Sequence, residues 1–423
     1  MMPETETGKK DRVFYGWFAL AGVMLVISFV GGIFYNTYGV LLPVITEEFG
    51  WSRGTVAGVL SAGIIAFGLP SPLFGILVAR LGPRFTLIFG NFLAGLGIAC
   101  VYLVQEVWHM YALYVLIGLG GGFGGYISCT AIANNWFIKK RALAMGMIIA
   151  AGGLGGFIFP PLATALISAI GWRLTWLVLA GVITVFPVFL GGVVLVRNRP
   201  EDMGQTPDGM PADVYTEMET EESRTADEES DDWSIRQVLK SPVIWLIAGF
   251  SAANTFTMGT VTTHQIAYLQ DIKYDAMTAA TTLSFMSVFI IVGSLLFGSL
   301  AMRIKVKYLA VAFFVIQAAG LVILLTSQQL GLIYVYAAFQ GMSNGALNAA
   351  MPTFVGTYYP RKHYAHALGI VLPFQVCSNA IGTTVAGAIF DATFSYTPAF
   401  ITAAVFSLAG LVFVIMTRRP KPA

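Results

Sequence analysis

The chain has 423 residues, of which 57% are hydrophobic and only 11% are charged, and its mean hydropathy is +0.75. These values exclude an ordinary water-soluble globular protein, because such proteins are about half apolar and about a quarter charged. The 24 Lys and Arg residues nearly balance the 22 Asp and Glu residues, so a formal net charge of +2 indicates no anionic macromolecule, such as a nucleic acid, as a partner.

The apolar residues form long runs, and the charged residues lie between these runs. A helix that crosses a membrane needs roughly 20 apolar residues, and we count twelve runs of about this length. They lie near residues 14–42, 55–79, 85–104, 109–134, 142–169 and 173–196, and near 243–269, 278–301, 308–326, 330–357, 365–389 and 396–417. The sequence therefore predicts an all-α integral membrane protein with twelve transmembrane helices.

The loops between successive runs differ in their content of basic residues. When alternate loops are assigned to opposite membrane faces, 21 of the 24 Lys and Arg residues fall on one face, and Arg53, Arg173 and Lys273 fall on the other. We call the first of these the basic face. Because cytoplasmic loops are rich in Lys and Arg, the basic face is predicted to be cytoplasmic and to carry both termini. The expected location is a bacterial-type inner membrane.

The chain contains an internal repeat with a constant offset of 223 residues. At this offset Phe74-Gly75 aligns with Phe297-Gly298, Arg80 with Arg303, Lys139 with Lys362, and Gly146 with Gly369. One register that holds across about seventy residues predicts two similar six-helix halves. Parallel halves of this kind are typical of secondary transporters that place the substrate at the interface between the halves.

The sequence changes character between the two halves. Residues 197–241 contain 13 acidic residues from Glu201 to Asp232, together with Pro and Ser. We expect a first bundle at residues 1–196, an acidic cytoplasmic linker at 197–241 and a second bundle at 242–423. The run Glu217–Asp232 is expected to be disordered, and a short helix is expected from Ser234.

The segment from Gly75 to Arg84, which reads GILVARLGPR, resembles the loop signature of the major facilitator superfamily. The resemblance implies the major facilitator fold, with twelve helices in two pseudo-symmetric bundles. It also implies a gating role for this loop and its repeated copy, namely for Gly75, Arg80, Gly82, Arg84 and Arg303. The acidic residue that is usual in the signature is replaced by Ala79 here and by Met302 in the copy, which weakens a latch based on charge.

Two further blocks resemble the monocarboxylate-transporter group and its prokaryotic relatives. They are Phe14-Tyr15-Gly16-Trp17 and the segment from Trp136 to Gly146, which reads WFIKKRALAMG. This resemblance implies symport of a small monocarboxylate with a proton. The animal members carry a lysine in helix one and an Asp and an Arg in helix eight, whereas Tyr35, Ile290 and Ser294 stand at these positions here. A carboxylate would therefore have to bind without a cation inside the membrane.

The polar residues that remain inside the predicted helices are neutral, and they are the candidates for binding a substrate. Gln340, Asn344 and Asn348 are spaced four apart, which places three amides on one face of helix ten. The candidates are Tyr35 and Asn36 in helix one, Tyr126 in helix four, Thr260 and His264 in helix seven, Gln340, Asn344 and Asn348 in helix ten, and Gln375 and Asn379 in helix eleven. The alternative is that these side chains form hydrogen bonds between helices, which contribute about 0.6 kcal/mol each in membranes.

His264 is the candidate for coupling transport to a proton, because histidine changes its charge near neutral pH. The alternative is a neutral histidine that is hydrogen-bonded among neighbouring Thr and Gln side chains. Asp391, near the outer end of helix eleven, is a second and weaker candidate.

The leading hypothesis is a secondary transporter that moves a small organic anion, a monocarboxylate, by alternating access, with or without a proton. The alternative is a facilitator or exporter of a neutral or zwitterionic solute, and a membrane sensor that signals through the acidic linker is a third possibility. An enzyme is not expected, because the runs contain no nucleophile–base pair, carboxylate dyad or metal-ligand spacing. We expect a functional monomer with the lipid bilayer and a small molecule as its only partners, and no cofactor, metal or nucleic acid.

Overall fold

The computed structural model describes residues 14–51, 53–211, 213–216, 235–274 and 276–418. All regular secondary structure in these residues is helical. The acidic run Glu217–Asp232, for which the sequence predicts disorder, lies outside the described residues.

The first half of the chain forms six long helices, several of which are made of two segments. They are α1 (Gly16–Phe29, the π-helix Val30–Asn36 and Tyr38–Phe49), α2 (Arg53–Gly68 and Ser71–Leu81), α3 (Pro83–Cys100), α4 (Val107–Gly124 and Tyr126–Trp136), α5 (Arg141–Ile170) and α6 (Trp172–Ile183 with the π-helix Thr184–Leu195). Within this bundle α4 packs on α2 and α3, and α1 packs on α5 and α6.

The second half repeats this arrangement after a short helix at Ile235–Lys240. Its six helices are α7 (Pro242–Asp271), α8 (Ala276–Leu300), α9 (Val306–Thr326), α10 (Leu330–Tyr358), α11 (Tyr364–Thr393) and α12 (Thr397–Met416). Here α10 packs on α8 and α9, and α7 packs on α11 and α12. These pairs are the repeat counterparts of those in the first bundle.

The helices have the length and apolarity that a bilayer requires. Ten of the described helices are long and apolar enough to cross a bilayer, and α2 makes an eleventh when its two segments, bent by 47°, are taken as one span. The remaining helix, α10, is 29 residues long, but its amide and hydroxyl side chains lower its hydropathy. The structure thus confirms an all-α, multi-pass membrane protein.

The helix interruptions have local causes in the sequence. The bend in α2 falls at Leu69 and Pro70, where proline has no backbone N–H to continue the helical hydrogen bonds. The π-helical part of α6 contains Pro187, which has the same effect. α4 breaks at Gly125, which lies in a glycine-rich stretch packed against α3 and α2. Gly125 and Pro187 are buried, where neighbouring groups can satisfy the irregular backbone, whereas Leu69 at the bend of α2 is exposed.

The chain between the bundles begins with an ordered segment, residues 197–211, which we call the strap. It lies across the basic face of the first bundle. The indole of Trp136 donates to the Arg197 carbonyl at 2.9 Å, and the backbone N–H of Arg84 donates to Asn198 Oδ1 at 2.9 Å. The backbone N–H of Tyr15 donates to Gln205 Oε1 at 2.9 Å. The first part of the predicted linker therefore packs on the ends of α1, α3 and α4.

Candidate functional site

The two bundles meet at the crossing of α2 with α11, where their backbones are in close contact. A Cβ atom on Gly75 would lie 2.4 Å from the carbonyl oxygen of Ala365, and one on Gly369 would lie 2.5 Å from that of Ser71. The Ser71 hydroxyl donates to the Gly369 carbonyl at 3.0 Å. This crossing requires glycine at positions 75 and 369, because any side chain would push the helices apart.

A second crossing joins α5 to α8 and has the same construction. A Cβ atom on Gly146 would lie 2.3 Å from the carbonyl oxygen of Ser294, and one on Gly298 would lie 2.8 Å from that of Ala142. Both crossings thus use one glycine from each helix to bring the backbones together.

The internal repeat relates the two crossings residue by residue. Ser71, Gly75, Ala142 and Gly146 recur 223 positions later as Ser294, Gly298, Ala365 and Gly369. Further contacts between the bundles join Gly68 to Val376 and Gly153 to Ile291. All of these contacts lie in the basic-face halves of their helices, so the basic face is closed in this conformation.

Two arginines add polar contacts between the bundles at the basic face. Arg141, the first residue of α5, donates through Nη1 to the carbonyl of Gly356 in the last turn of α10. Arg361, just before α11, donates through Nη2 to the carbonyl of Asn135 in the last turn of α4. The last carbonyls of a helix have no partner within it and carry partial negative charge. Each arginine therefore stabilises a helix end in the opposite bundle.

The amides predicted on α10 differ in their surroundings. Gln340 and Asn344 are fully buried, and both polar atoms of each amide have no hydrogen-bond partner among the described residues. Asn348 is half-buried, and its Nδ2 donates to the Asn344 carbonyl at 2.9 Å. A buried amide without a hydrogen-bond partner costs free energy. We therefore expect a water, a ligand or a different conformation to provide partners for Gln340 and Asn344.

The candidates on α7 and α11 form a ladder of hydrogen bonds between these two helices. Gln375 Nε2 donates to the Ser251 hydroxyl, and Asn379 Nδ2 donates to the Thr255 carbonyl at 3.2 Å. The Thr260 hydroxyl donates to the Gly382 carbonyl at 3.1 Å. The alternative that these side chains form hydrogen bonds between helices is therefore present in the structure. Gln375 and Asn379 are nevertheless only half-buried.

His264 lies at the outer end of the same ladder. Its Nε2 is 3.0 Å from the carbonyl oxygen of Thr383, and its ring lies 5.2 Å from that of Tyr396 between centroids. Because a carbonyl oxygen can only accept, Nε2 carries the proton in this contact. The ring is half-buried.

The aromatic candidates lie on the first bundle. Tyr35 is half-buried in the π-helical part of α1, and its ring meets Phe67 of α2 edge-on, with 5.8 Å between centroids. Tyr126 is half-buried at the start of the second segment of α4. The side chains of Asn36 and Asp391 lie outside what the structure describes.

In the predicted gating loop, the glycines and Arg84 make the structural contacts. Gly82 has a φ of +86°, a left-handed conformation that favours glycine, and it ends α2. Arg84 donates to the carbonyls of Gly192 and Val193 at 3.2 and 2.7 Å, which ties the start of α3 to the end of α6. Arg80 and Arg303 are exposed on the basic face.

Sequence reasoning missed several residues that lie between the bundles at the basic face. Arg361 counted only as a charge that sets the topology, and Arg141 counted also as part of the block from Trp136 to Gly146, although their positions at the starts of α5 and α11 could have suggested contacts with helix ends. Asn134 is not among the predicted site residues, yet it is fully buried against Gly356, with neither amide atom partnered among the described residues. The signal for Asn134 was a polar residue in a run of small residues near the end of α4.

The chain matches the family model of the Major Facilitator Superfamily over residues 24–309 and 265–423. It belongs to the major facilitator superfamily. Among solved structures, the major facilitator superfamily proton:xylose symporter XylE, bound to 6-bromo-6-deoxy-D-glucose, aligns with a TM-score of 0.75 and 15% identity. That alignment covers 96% of this chain and 95% of the other, so it supports the fold alone.

Similar curated proteins carry the names of monocarboxylate transporters, as the resemblance in the sequence predicts. Monocarboxylate transporter 13 of Rattus norvegicus is 26% identical over 406 residues, which cover 94% of this chain and 87% of that protein. Monocarboxylate transporter 12 of Mus musculus is 25% identical and covers 96% of this chain and 87% of its own length. The probable L-galactonate transporter of Escherichia coli (strain K12) is 32% identical over 42% of this chain and 39% of its own. This superfamily member is therefore a transporter, not an enzyme, that resembles the monocarboxylate-transporter group.

Proposed function

We propose that this superfamily member is a secondary transporter that moves a small organic anion, a monocarboxylate, across the cell inner membrane by alternating access. The observation that carries the proposal is the similarity to proteins named monocarboxylate transporters over more than nine-tenths of the chain. The XylE symporter contributes the fold but, at 15% identity, no argument about the substrate.

The proposed mechanism is a rocking motion of the two bundles. The two crossings at positions 71–75 with 365–369 and 142–146 with 294–298 hold the basic face closed. Because the crossings are related by the repeat, both can open together when one bundle rotates about the other. If the basic face is cytoplasmic, as its Lys and Arg content predicts, closure of this face corresponds in the proposed mechanism to the conformation that loads from outside. A single chain contains both halves of the gate, which supports a functional monomer.

The proposed substrate contacts are neutral hydrogen-bond donors. The half-buried candidates are Tyr35, Tyr126, Asn348, Gln375 and Asn379. The unpartnered amides of Gln340 and Asn344 lie about two turns and one turn before Asn348 on α10. An amide N–H or a tyrosine O–H can donate to a carboxylate without the cost of burying a cation in the membrane.

His264 is the proposed proton carrier. It lies in the outer half of α7, and its Nε2 joins α7 to α11 through the Thr383 carbonyl. Protonation of Nδ1 would place a positive charge near an incoming carboxylate, which couples the two ligands electrostatically.

The direct test is uptake of labelled monocarboxylates by proteoliposomes with an imposed pH gradient. Accumulation of at least one monocarboxylate, driven by an acidic exterior, is expected. Absence of both uptake and counterflow across a broad panel of acids would disprove the substrate class, although the family assignment would stand.

A second candidate is the movement of a neutral or zwitterionic solute. The observation that favours it is that Tyr35, Ile290 and Ser294 are uncharged, whereas the animal members of the group carry a lysine, an Asp and an Arg at these positions. Ser294 is fully buried, and its carbonyl lies against Gly146. Competition of uncharged analogues with the labelled acid distinguishes the two candidates, because an anion carrier should not be inhibited by them.

A further inference from the structure

A cavity of about 370 Å³ lies on the basic face where both bundles and the strap meet. Its walls are the end of α2, the last turns of α4, the strap and the start of α11. The lining residues that this argument uses are Arg80, Asn135, Arg199, Asp202, Arg361 and Lys362. It is separate from the proposed substrate contacts, which lie within the membrane.

The cavity has an excess of positive charge. Four of its lining residues are cations, and Asp202 is the only carboxylate among them. Glu201 lies beside the cavity and pairs with Arg361 at 3.5 Å, so it offsets one further charge. The Asp202 carboxylate accepts the backbone N–H of Arg199 at 3.2 Å. The remaining excess of about two positive charges matches a doubly charged oxyanion.

The repeat provides an independent indication that this part of the fold binds oxyanions. In the first bundle, the loop before α5 donates three backbone N–H groups, those of Ile138, Lys139 and Lys140, to the carboxylate of Asp208 at 2.8, 2.6 and 3.2 Å. The counterpart loop 223 positions later is Arg361–His363, which precedes α11 and borders the cavity. A carboxylate of the chain itself thus occupies one copy of the loop. The other copy is a 3-10 turn in which the His363 N–H donates to the Pro360 carbonyl at 2.9 Å, and its Arg361 and Lys362 line the basic cavity.

We propose that this cavity binds an oxyanion of the phosphate class, either free phosphate or the phosphate of an acidic lipid headgroup. Arg80 comes from the first bundle, Arg199 from the strap, and Arg361 and Lys362 from the second bundle. An anion that contacts all three parts binds the closed basic face better than the open one. It therefore shifts the equilibrium toward the closed conformation, as any ligand with a preference for one state does. The proposal does not depend on the identity of the transported substrate.

The first experiment is thermal unfolding of the full chain in neutral detergent, titrated with inorganic phosphate against chloride at equal ionic strength. Phosphate is expected to raise the midpoint in the wild type, because a ligand that binds only the folded state stabilises it. K362Q and R199Q are each expected to weaken the apparent phosphate affinity roughly three- to five-fold, as for exposed ion pairs. K139Q is the matched control, since Lys139 is the repeat counterpart of Lys362 and lies outside the cavity.

Nanodiscs identify the source of the anion. If an acidic lipid is the ligand, phosphatidylglycerol nanodiscs will stabilise the wild type relative to phosphatidylcholine nanodiscs, and added phosphate will have no further effect. If free phosphate is the ligand, it will stabilise the protein equally in both. The proposal is overturned if neither phosphate nor phosphatidylglycerol stabilises the wild type. It is also overturned if K139Q loses as much affinity for phosphate as K362Q, because the binding would then depend on general surface charge and not on this cavity.

Discussion

Gly75 and Gly298, which are 223 positions apart, make the same contact on opposite sides of the bundle interface. A Cβ atom on Gly75 would lie 2.4 Å from the Ala365 carbonyl, and one on Gly298 would lie 2.8 Å from the Ala142 carbonyl. The repeat that is visible in the sequence is therefore also a repeat of close backbone approach. Closure of the basic face depends on four glycines that act in two related pairs.

Substituting one of these glycines should open the basic face. Gly75→Ala and Gly298→Ala each place a methyl group against a carbonyl that cannot move without its helix, so the closed conformation loses stability relative to the open one. Spin labels at Leu81 and Met302, both exposed on the basic face in different bundles, should show longer and broader distances. Gly181→Ala is the control, because a Cβ there meets nothing within 4 Å. Unchanged distances in both variants would show that the crossings do not form the gate.

Arg141 and Arg361 should contribute to closure separately from the glycines. Each donates a charged hydrogen bond to a helix end of the other bundle, and such bonds contribute about 1–3 kcal/mol. Arg141→Gln and Arg361→Gln should each lower the closed population several-fold, and the double variant should lower it further, as measured with the same spin labels. Arg303→Gln removes an exposed cation from the same face and should leave the distances unchanged. An effect of Arg303→Gln as large as the others would indicate that total charge, not the two contacts, controls closure.

Asn344 should be dispensable for stability and required for transport. Both atoms of its buried amide lack a partner among the described residues, and relieving an unsatisfied buried group is worth about 1–3 kcal/mol. Asn344→Leu, which is similar in volume, should therefore keep or raise the unfolding midpoint while uptake falls at least about tenfold.

Asn91 provides the contrast for that experiment. It is equally buried, but its Nδ2 donates to the carbonyls of Leu87 and Gly124 at 2.8 and 3.0 Å. Asn91→Leu should lower the unfolding midpoint, since it leaves these contacts unmade. Full uptake by Asn344→Leu would remove the α10 amides from the substrate site.

His264→Gln should separate proton coupling from substrate movement. Glutamine can still donate to the Thr383 carbonyl, but it does not change its charge with pH. Accumulation driven by a pH gradient should be lost, whereas counterflow at equal pH should persist. His109→Gln, at a histidine in the first turn of α4, should retain accumulation. Normal accumulation in His264→Gln would exclude this histidine as the proton carrier.

The sequence predicted the fold because its information is local and repeated. Apolar run length defines each span, and the 223-residue register pairs Gly75 with Gly298 without any knowledge of contacts. The spacing of Gln340, Asn344 and Asn348 also placed three amides on α10, but it could not separate buried from half-exposed members. That difference depends on how α8 and α9 cover the helix, which no local pattern records.

The partners in contacts between distant segments could not be predicted from the sequence for the same reason. Arg141 and Gly356 are 215 positions apart, and neither residue type indicates a partner. The strap was predicted only as part of an acidic linker, because its anchoring depends on single side chains such as Asn198 and Asp208 that meet backbone groups of the first bundle. A composition of Pro, Asp and Glu does not distinguish a segment that packs from one that is free.

Asp208 should control whether the strap stays attached to the loop before α5. Its carboxylate accepts three backbone N–H groups of residues 138–140, and its φ of +57° is also accessible to asparagine. Asp208→Asn keeps the backbone and the size but replaces one acceptor oxygen with a donor group, which faces N–H groups and cannot bind them. Limited proteolysis within residues 197–211 should therefore become several-fold faster. Asp213→Asn makes the same chemical change at an exposed carboxylate beyond the strap, and it should leave the cleavage rate as in the wild type. Equal cleavage rates in the wild type and both variants would mean that the other strap contacts hold the segment without Asp208.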